Sequence, residues 1–331
     1  MNKQSIKDIS QKSGRSVSTV SKVLRNCPGV DPETRDEIRS AMESESVEGL
    51  RPMKNAGSAT CVILPDNPKY FWNRALPSLN RSNLPMITKI YSSIRQDGED
   101  REVSRCLREA VKENASAIIL AASPGEALSQ EIAELAKTML IIQLCEYTPI
   151  PNTFFVGSDF WGDGRALSEA VRSEEGSAPC VGLLSKRGIL SCEERTRGFL
   201  EGLDSHVRTV RIECPEYSSL FSSHLARAIH GTGEPLDYLF VPMGMTDKAC
   251  DALYKLRDKM QAQCIGFEFP SMAKKYWQRG QIAALAVQDV EEQMDLALTF
   301  VRQYLEERRF PDRKMNRLAS SIRIWDREEM G

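Results

Sequence analysis

The sequence predicts two units of different class: an N-terminal all-α helix-turn-helix headpiece and an α/β body of two doubly wound parallel-sheet lobes. Three observations carry this. Residues 5–26, SIKDISQKSGRSVSTVSKVLRN, place apolar side chains at helical spacing on both sides of one glycine. Beyond residue 58, short apolar runs alternate with amphipathic segments. Charge is divided within the first 50 residues: 1–27 carry a net +5 and 28–50 a net −5, although the chain of 331 residues has a net charge of only −2.

The headpiece elements follow in order. Ser5, with Asp8 three positions on, has a capping-box pattern, and Ile6, Ile9 and Ser13 share one helical face. Gly14 ends that helix, because glycine tolerates the left-handed backbone of a tight turn. Ser16 can cap a second helix in which Val17, Val20, Val23 and Leu24 repeat at three- and four-residue steps. Asp31 then caps a third helix, with Pro32 at its first position, where the missing N–H costs nothing. Thr34, Ile38, Ala41 and Met42 supply its inner face. The segment EGLRPMKNAGSAT reads as a linker, broken by Gly49, Pro52 and Gly57, which puts the domain boundary at about 50–58.

In the body, candidate strands are Thr60–Leu64, Pro85–Ile90, Ala117–Ala121, Met139–Leu144, Cys180–Leu184, Val207–Ile212, Tyr238–Val241, Gln263–Phe267 and Ile282–Val287. Candidate helices are 97–113, 125–137, 163–174, 193–203, 219–230, 246–260 and 289–308. Near-continuous apolar strands separated by helices indicate parallel sheet covered on both faces. So many strands overfill one small sheet, and two lobes facing a cleft fit better. No internal repeat is visible.

Composition narrows the function classes. The hydrophobic content of 41% is that of an ordinary globular chain, and no apolar run approaches the roughly 18–20 residues that span a membrane. The N-terminus MNKQSIKDIS lacks an apolar signal region, so a cytoplasmic location is expected. Nine scattered cysteines without C-x-x-C point to reduced, mostly buried thiols. His206, His224 and His230 have no metal spacing with any cysteine, so neither metal nor cofactor is expected. There is no P-loop, no G-x-G-x-x-G after a strand and no G-x-S-x-G, which argues against an enzyme. Ser18, Thr19, Ser21 and Lys22 on the second helix are short hydrogen-bonding or cationic groups suited to phosphates and base edges. The segregated positive charge focuses the field on that helix pair.

The headpiece, IKDISQKSGRSVSTVSKVL (Ile6 to Leu24) and VDPETR (Val30 to Arg35), resembles the lactose-repressor (LacI/GalR) family of bacterial regulators. The body is similar to that family's periplasmic-binding-protein-like domain in VILPDNP (Val62 to Pro68), VGSD (Val156 to Asp159) with Gly162 and Gly164, ERTRGF (Glu194 to Phe199), IGFE (Ile265 to Glu268) and AVQD (Ala286 to Asp289). The resemblance covers all but the linker. It implies a headpiece at 1–49, a linker at 50–58 and a two-lobed effector-binding and dimerisation domain at 59–331. Lobe 1 would take about 59–158 and 288–318, and lobe 2 about 159–287 and 319–331. It further implies a homodimer on a palindromic double-stranded operator, acting as a repressor of carbohydrate-related genes under a sugar-like effector.

The resemblance also assigns roles. Val17, Ser18 and Lys22 would read bases: a thymine methyl, several base edges, and guanine O6/N7 respectively. Ser16, Thr19, Ser21 and Thr34 would contact phosphates, the other reading of each serine being a cap or solvated hydroxyl. Arg15 stands where the family usually has an apolar residue, and adds either a phosphate contact or plain surface. In the cleft, Asp159 and Arg195 match the family's persistent effector ligands, and Glu268 falls where Asp is usual. A carboxylate and a guanidinium facing one another suit sugar hydroxyls or an anion. Tyr70, Phe71 and Trp72 would stack on a sugar ring or simply pack in the core. Two departures stand out. FVPMG (Phe240 to Gly244) replaces the usual Asn-Asp pair, and the linker has no leucine to wedge into the minor groove. They keep open a constitutive DNA-binding protein whose body only dimerises around a degenerate cleft.

Overall fold

The computed structural model describes residues 10, 11, 13–24, 30, 31, 34, 38, 59–66, 69–92, 96–172, 178–186, 188–213, 215, 220–270 and 272–325. The Ser5–Asp8 cap, the linker, Cys27, Cys214 and the side chain of Tyr70 lie outside them. In the headpiece, helix α1 spans Val17–Leu24, Ser10 and Ser13 are helical, and Gly14 turns between them at φ +65°. Val20 and Ile38 are fully buried and pack with Val23.

The body begins with β1 (Ala59–Pro65), followed by a helical turn at Lys69–Trp72 and a tighter one at Asn73–Ala75. Then come α2 (Leu76–Arg81), β2 (Met86–Tyr91), α3 (Gln96–Lys112), β3 (Ala115–Leu120), α4 (Glu126–Leu135), β4 (Leu140–Leu144) and β5 (Phe154–Ser158). The chain continues through α5 (Phe160–Ser168), β6 (Cys180–Ser185), α6 (Leu190–Gly202), β7 (Arg208–Glu213), α7 (Phe221–Gly231), β8 (Tyr238–Val241), α8 (Thr246–Lys255), β9 (Gln263–Phe267), α9 (Ala273–Gln278) and β10 (Ile282–Val287). Helix α10 (Val290–Glu307) and strands β11 (Met315–Leu318) and β12 (Ser321–Ile324) close it.

These strands form two six-stranded sheets, in the orders β2-β1-β3-β4-β5-β11 and β7-β6-β8-β9-β10-β12. The two lobes therefore repeat one topology without repeating sequence. They differ at the last strand, since β11 joins β5 in parallel whereas β12 joins β10 antiparallel. Inner strands such as β3, buried at every position, read as unbroken apolar runs because helices cover both faces. In lobe 1, Val290, Met294, Leu298, Val301 and Tyr304 of α10 pack on one face, and Val103, Leu107 and Ala110 of α3 with Leu128 and Ile132 of α4 pack on the other. Each such fully buried large side chain contributes about 1.5–3 kcal/mol. Helix α10 is well specified at both ends: the Asp289 carboxylate accepts the Glu292 N–H at 3.0 Å, and Arg308 stops it in the left-handed region at φ 52°.

The chain crosses between the lobes three times. It passes from β5 into α5, from β10 into α10, and from β11 to β12. Helices α5 and α6 of lobe 2 lie unusually close. A Cβ on Gly164 would overlap the Arg195 carbonyl, and one on Gly198 the Trp161 carbonyl, so both glycines are needed for backbone approach. All seven described cysteines are free and buried. Among the described residues, no helix is long and apolar enough to cross a membrane, and no group of three or more His, Cys, Asp or Glu is placed to hold a metal ion.

Candidate functional site

Helix α1 starts with a capped turn. Ser16 Oγ accepts the Thr19 N–H at 3.1 Å and lies 2.8 Å from the hydroxyls of both Ser18 and Thr19. Ser10 Oγ donates to the Arg15 carbonyl at 2.6 Å and ties the preceding helix to the turn. With Val20 buried, the outer face carries Val17, Ser18 and Lys22, all exposed, with Ser16 at the cap. Val17, at 47% exposure, is on this outer face and not on the inner one that its spacing from Val20 suggested. Thr19, Ser21 and Arg15 are half-buried at its margin. Thr34 stands apart. It is 5% exposed, and its N–H donates to Asp31 at 2.9 Å, a bond that holds the Asp31 carboxyl below its ordinary pKa.

The second site lies between the lobes. Arg74 follows β1 and Glu146 follows β4 in lobe 1; Ser191 follows β6 and Glu268 follows β9 in lobe 2. Two bonds join them across the gap: Arg74 Nη1 to Glu268 Oε2 at 3.2 Å, and Ser191 Oγ–H to Glu146 Oε2 at 3.1 Å. The carboxyl ends of the two sheets therefore face one another, the position at which doubly wound folds bind ligands.

Arg195, on α6, is 4% exposed. Its guanidinium lies over the rings of Phe267 (4.2 Å) and Phe160 (5.1 Å), and Nη1 donates to the Pro242 carbonyl at 3.1 Å. Its Nε is buried with no hydrogen-bond partner among the described residues. Asp159 does not meet it. That side chain is 39% exposed at the start of α5, and its charged neighbour is Arg317, 3.7 Å away, which also binds Glu194 at 2.9 Å. The facing of Asp159 and Arg195 expected from the sequence is replaced by two separate pairings, because Arg195 is drawn under Phe160 and Phe267 while Asp159 stays at the lobe crossing.

Glu268 has a left-handed backbone, φ 63°, and is 4% exposed. Besides Arg74, it accepts the Gln288 side-chain N–H at 2.9 Å. Arg74 also donates to the Gln288 carbonyl. Burial pushes the Glu268 carboxyl up, against Gln288, Arg195 and Arg74. Burial likewise raises Glu146, opposed by Arg195 and Ser191, and Glu99, which lies 3.1 Å from the Tyr91 hydroxyl. Phe71 and Trp72 are in the lobe 1 core against α10, edge to face with centroids 4.9 Å apart, and the Trp72 indole N–H has no partner among the described residues. Met243, in the departure from the expected Asn-Asp pair, packs into the lobe 2 core.

Arg74, Glu146, Ser191 and Gln288 carry the cleft but were not singled out from the sequence. Glu146 had a usable signal, since it directly follows the apolar run LIIQLC. Arg74 had none, because its partner Glu268 is 194 positions away.

An exposed polar helix in a helix-turn-helix, attached to a two-lobed α/β body with a charged cleft, defines a DNA-binding regulator with a sugar-binding-protein-like body. Residues 5–46 match the family model "Bacterial regulatory proteins, lacI family", and the chain carries that family's DNA-binding domain. None of the curated proteins matches the sequence. Among solved structures, GanP, a glucose-galactose binding protein from Geobacillus stearothermophilus, is 17% identical over 81% of this chain and 98% of its own, at a TM-score of 0.68. A LacI-family regulator from Silicibacter pomeroyi is 19% identical, covering 97% of this chain and 98% of its own at 0.59. The transcriptional regulator CelR in complex with cellobiose is 13% identical, covering 97% and 99% at 0.61. These likenesses establish the fold of the body.

Proposed function

We propose that this protein represses transcription by binding a palindromic operator as a homodimer, and that a small polyhydroxylated effector in the interlobe cleft changes its affinity for DNA. The carrying observation is the outer face of α1, where Ser16, Val17, Ser18 and Lys22 are exposed while Val20 is buried. This face presents an apolar side chain, hydroxyls and an ammonium to a groove. Lys22 and Ser18 read base edges, and Ser16, Thr19, Ser21 and Arg15 set the register on phosphates. Thr34, being buried, adds little to that register.

The cleft reading is supported by a different observation. Arg195 is held against two rings with one N–H unused, and its charge acts on the Glu146 carboxyl that Ser191 also bonds. Asp159 sits at the margin of this cleft and Glu268 within it. Such a mixture of fixed donors and acceptors recognises dense arrays of hydroxyls. Structural neighbours support the same class, as one is in complex with cellobiose and another has bound D-allose.

Selection from a random DNA pool with the full chain tests the DNA half. The expected product is a two-fold symmetric site whose affinity falls steeply with salt. Lys22→Ala costs about 1–3 kcal/mol and relaxes preference at one base pair per half-site. Unchanged specificity in the Ser18→Ala/Lys22→Ala double variant would overturn the base-reading assignment.

A further inference from the structure

The cross-lobe bond at the mouth of the cleft is asymmetric. Glu268 is nearly inaccessible, its side chain 5% exposed, whereas the Arg74 side chain that reaches it from the other lobe is 36% exposed. Arg74 is thus the movable member of the pair. Arg195 cannot take over its task, because it is clamped by Phe160 and Phe267 and committed to the Pro242 carbonyl. Among the described residues, the hydrogen bonds to the other acids of the cleft come from neutral hydroxyls, Ser191 on Glu146 and Tyr91 beside Glu99, while Arg195 and Lys186 act on Glu146 through their charge. The Tyr91 hydroxyl has a single proton to divide between Glu99 and the Ala121 carbonyl, 2.7 Å away. Among the described residues, Arg74 is the cation that bonds Glu268 from a partly exposed side chain.

A neutral ligand that displaced Arg74 would take from the shielded Glu268 carboxylate the one cation bonded to it among the described residues, leaving it the Gln288 N–H groups and the field of Arg195. Removing one partner of a shielded ion pair is costly for that reason. A ligand that brings its own positively charged nitrogen does not incur this penalty.

We infer that Arg74 is an internal occupant of the cleft, latching lobe 1 to Glu268 of lobe 2 in the absence of effector, and that the effector is an amine-bearing polyol which replaces the Arg74 guanidinium on Glu268. This rests on the cleft being the effector site and narrows the chemistry of what enters it. Recognition then has two parts. The ammonium group takes the Glu268 carboxylate, and the hydroxyls take Glu146, Ser191 and the unused N–H of Arg195. Arg74, once released, turns toward solvent.

The test uses the full chain, Arg74→Ala, the cation-preserving Arg74→Lys, and Arg74→Ala/Glu268→Gln. Calorimetry and melting temperature follow three probes: D-glucosamine, N-acetyl-D-glucosamine, which has the same ring without the charge, and methylguanidinium, the end of the missing side chain. The expected result is that Arg74→Ala binds D-glucosamine and methylguanidinium at least tenfold more tightly than the wild type. Arg74→Lys shows no such gain, the N-acetyl sugar gains nothing, and Glu268→Gln abolishes the effect. Equal gains for the charged and acetylated sugars would overturn the cation requirement and leave the cleft reading intact. No binding of any probe to any of the four proteins would overturn both.

Discussion

The two sides of the interlobe junction use the same kinds of group and differ in how far water reaches them. On the hinge side, the Asp163 carboxylate of α5 accepts the Ser320 N–H at 3.0 Å and its hydroxyl at 2.5 Å, all of it buried. Arg317 binds Glu194 nearby, and the Gly164 and Gly198 contacts lock α5 onto α6. On the mouth side, Arg74 on Glu268 and Ser191 on Glu146 span the gap, each pairing one buried group, Glu268 or Ser191, with one that solvent partly reaches. The Asp163–Ser320 bonds join groups buried on both sides, while each mouth bond has one member that water can reach, Arg74 or Glu146. The junction is therefore built to pivot at the three chain crossings and to open at the mouth.

The largest effect expected from this contrast comes from the hinge helices. Gly198→Ala forces α5 and α6 apart and lowers stability by about 3 kcal/mol in urea unfolding. A change within the range of ordinary surface substitutions would break the claim that close backbone approach fixes the hinge. Asp163→Ala is next, leaving the Ser320 N–H and hydroxyl without acceptors at a cost of about 2 kcal/mol.

Glu146→Gln has the smallest effect and the opposite sign. Burial raises the Glu146 pKa, so in the folded protein its charged form is disfavoured relative to the unfolded chain. The stability this group contributes is fully present below the ordinary carboxylate pKa and is lost as pH rises through the elevated folded value. Glu146→Gln should therefore raise the melting temperature at pH 7, with the gain shrinking as pH falls toward 4. A gain independent of pH would contradict the assignment.

The same contrast explains what was legible in the sequence. Seven strands of the body were visible as apolar runs because parallel sheet is covered on both faces, and the edge strands β2 and β7 were visible through apolar residues interleaved with polar ones. Phe154–Ser158 has no range among the candidate strands, although Asp159 directly follows its apolar residues, because the run is short and follows Pro149, Pro151 and Asn152. Met315–Leu318 has two polar residues between apolar ends and Ser321–Ile324 alternates polar with apolar, each over only 4 residues, so pairing with β5 and β10 identifies them. Glycines at 164 and 198 were recognisable as a pattern, but their reason, the close contact of α5 with α6, is three-dimensional. In the headpiece the cap, the turn and the exposed row are all local, so the sequence carried them. In the cleft, Arg195 was recognisable by motif, whereas its partners were set by tertiary packing: the Asp159 expected to face it pairs with Arg317, and Arg74 reaches Glu268 from the other lobe.

In the proposed coupling, the state of the cleft mouth sets the affinity of the headpiece for DNA. The most direct measurement is the affinity of the full chain for its selected DNA site, compared between the wild type and Glu268→Gln at fixed salt. Coupling between the sites predicts a change of about fivefold or more, since the variant alters the lobe closure while leaving Ser18 and Lys22 intact. Identical affinities in the two proteins, with Glu268→Gln shown by scattering to change the separation of the lobes, would contradict it.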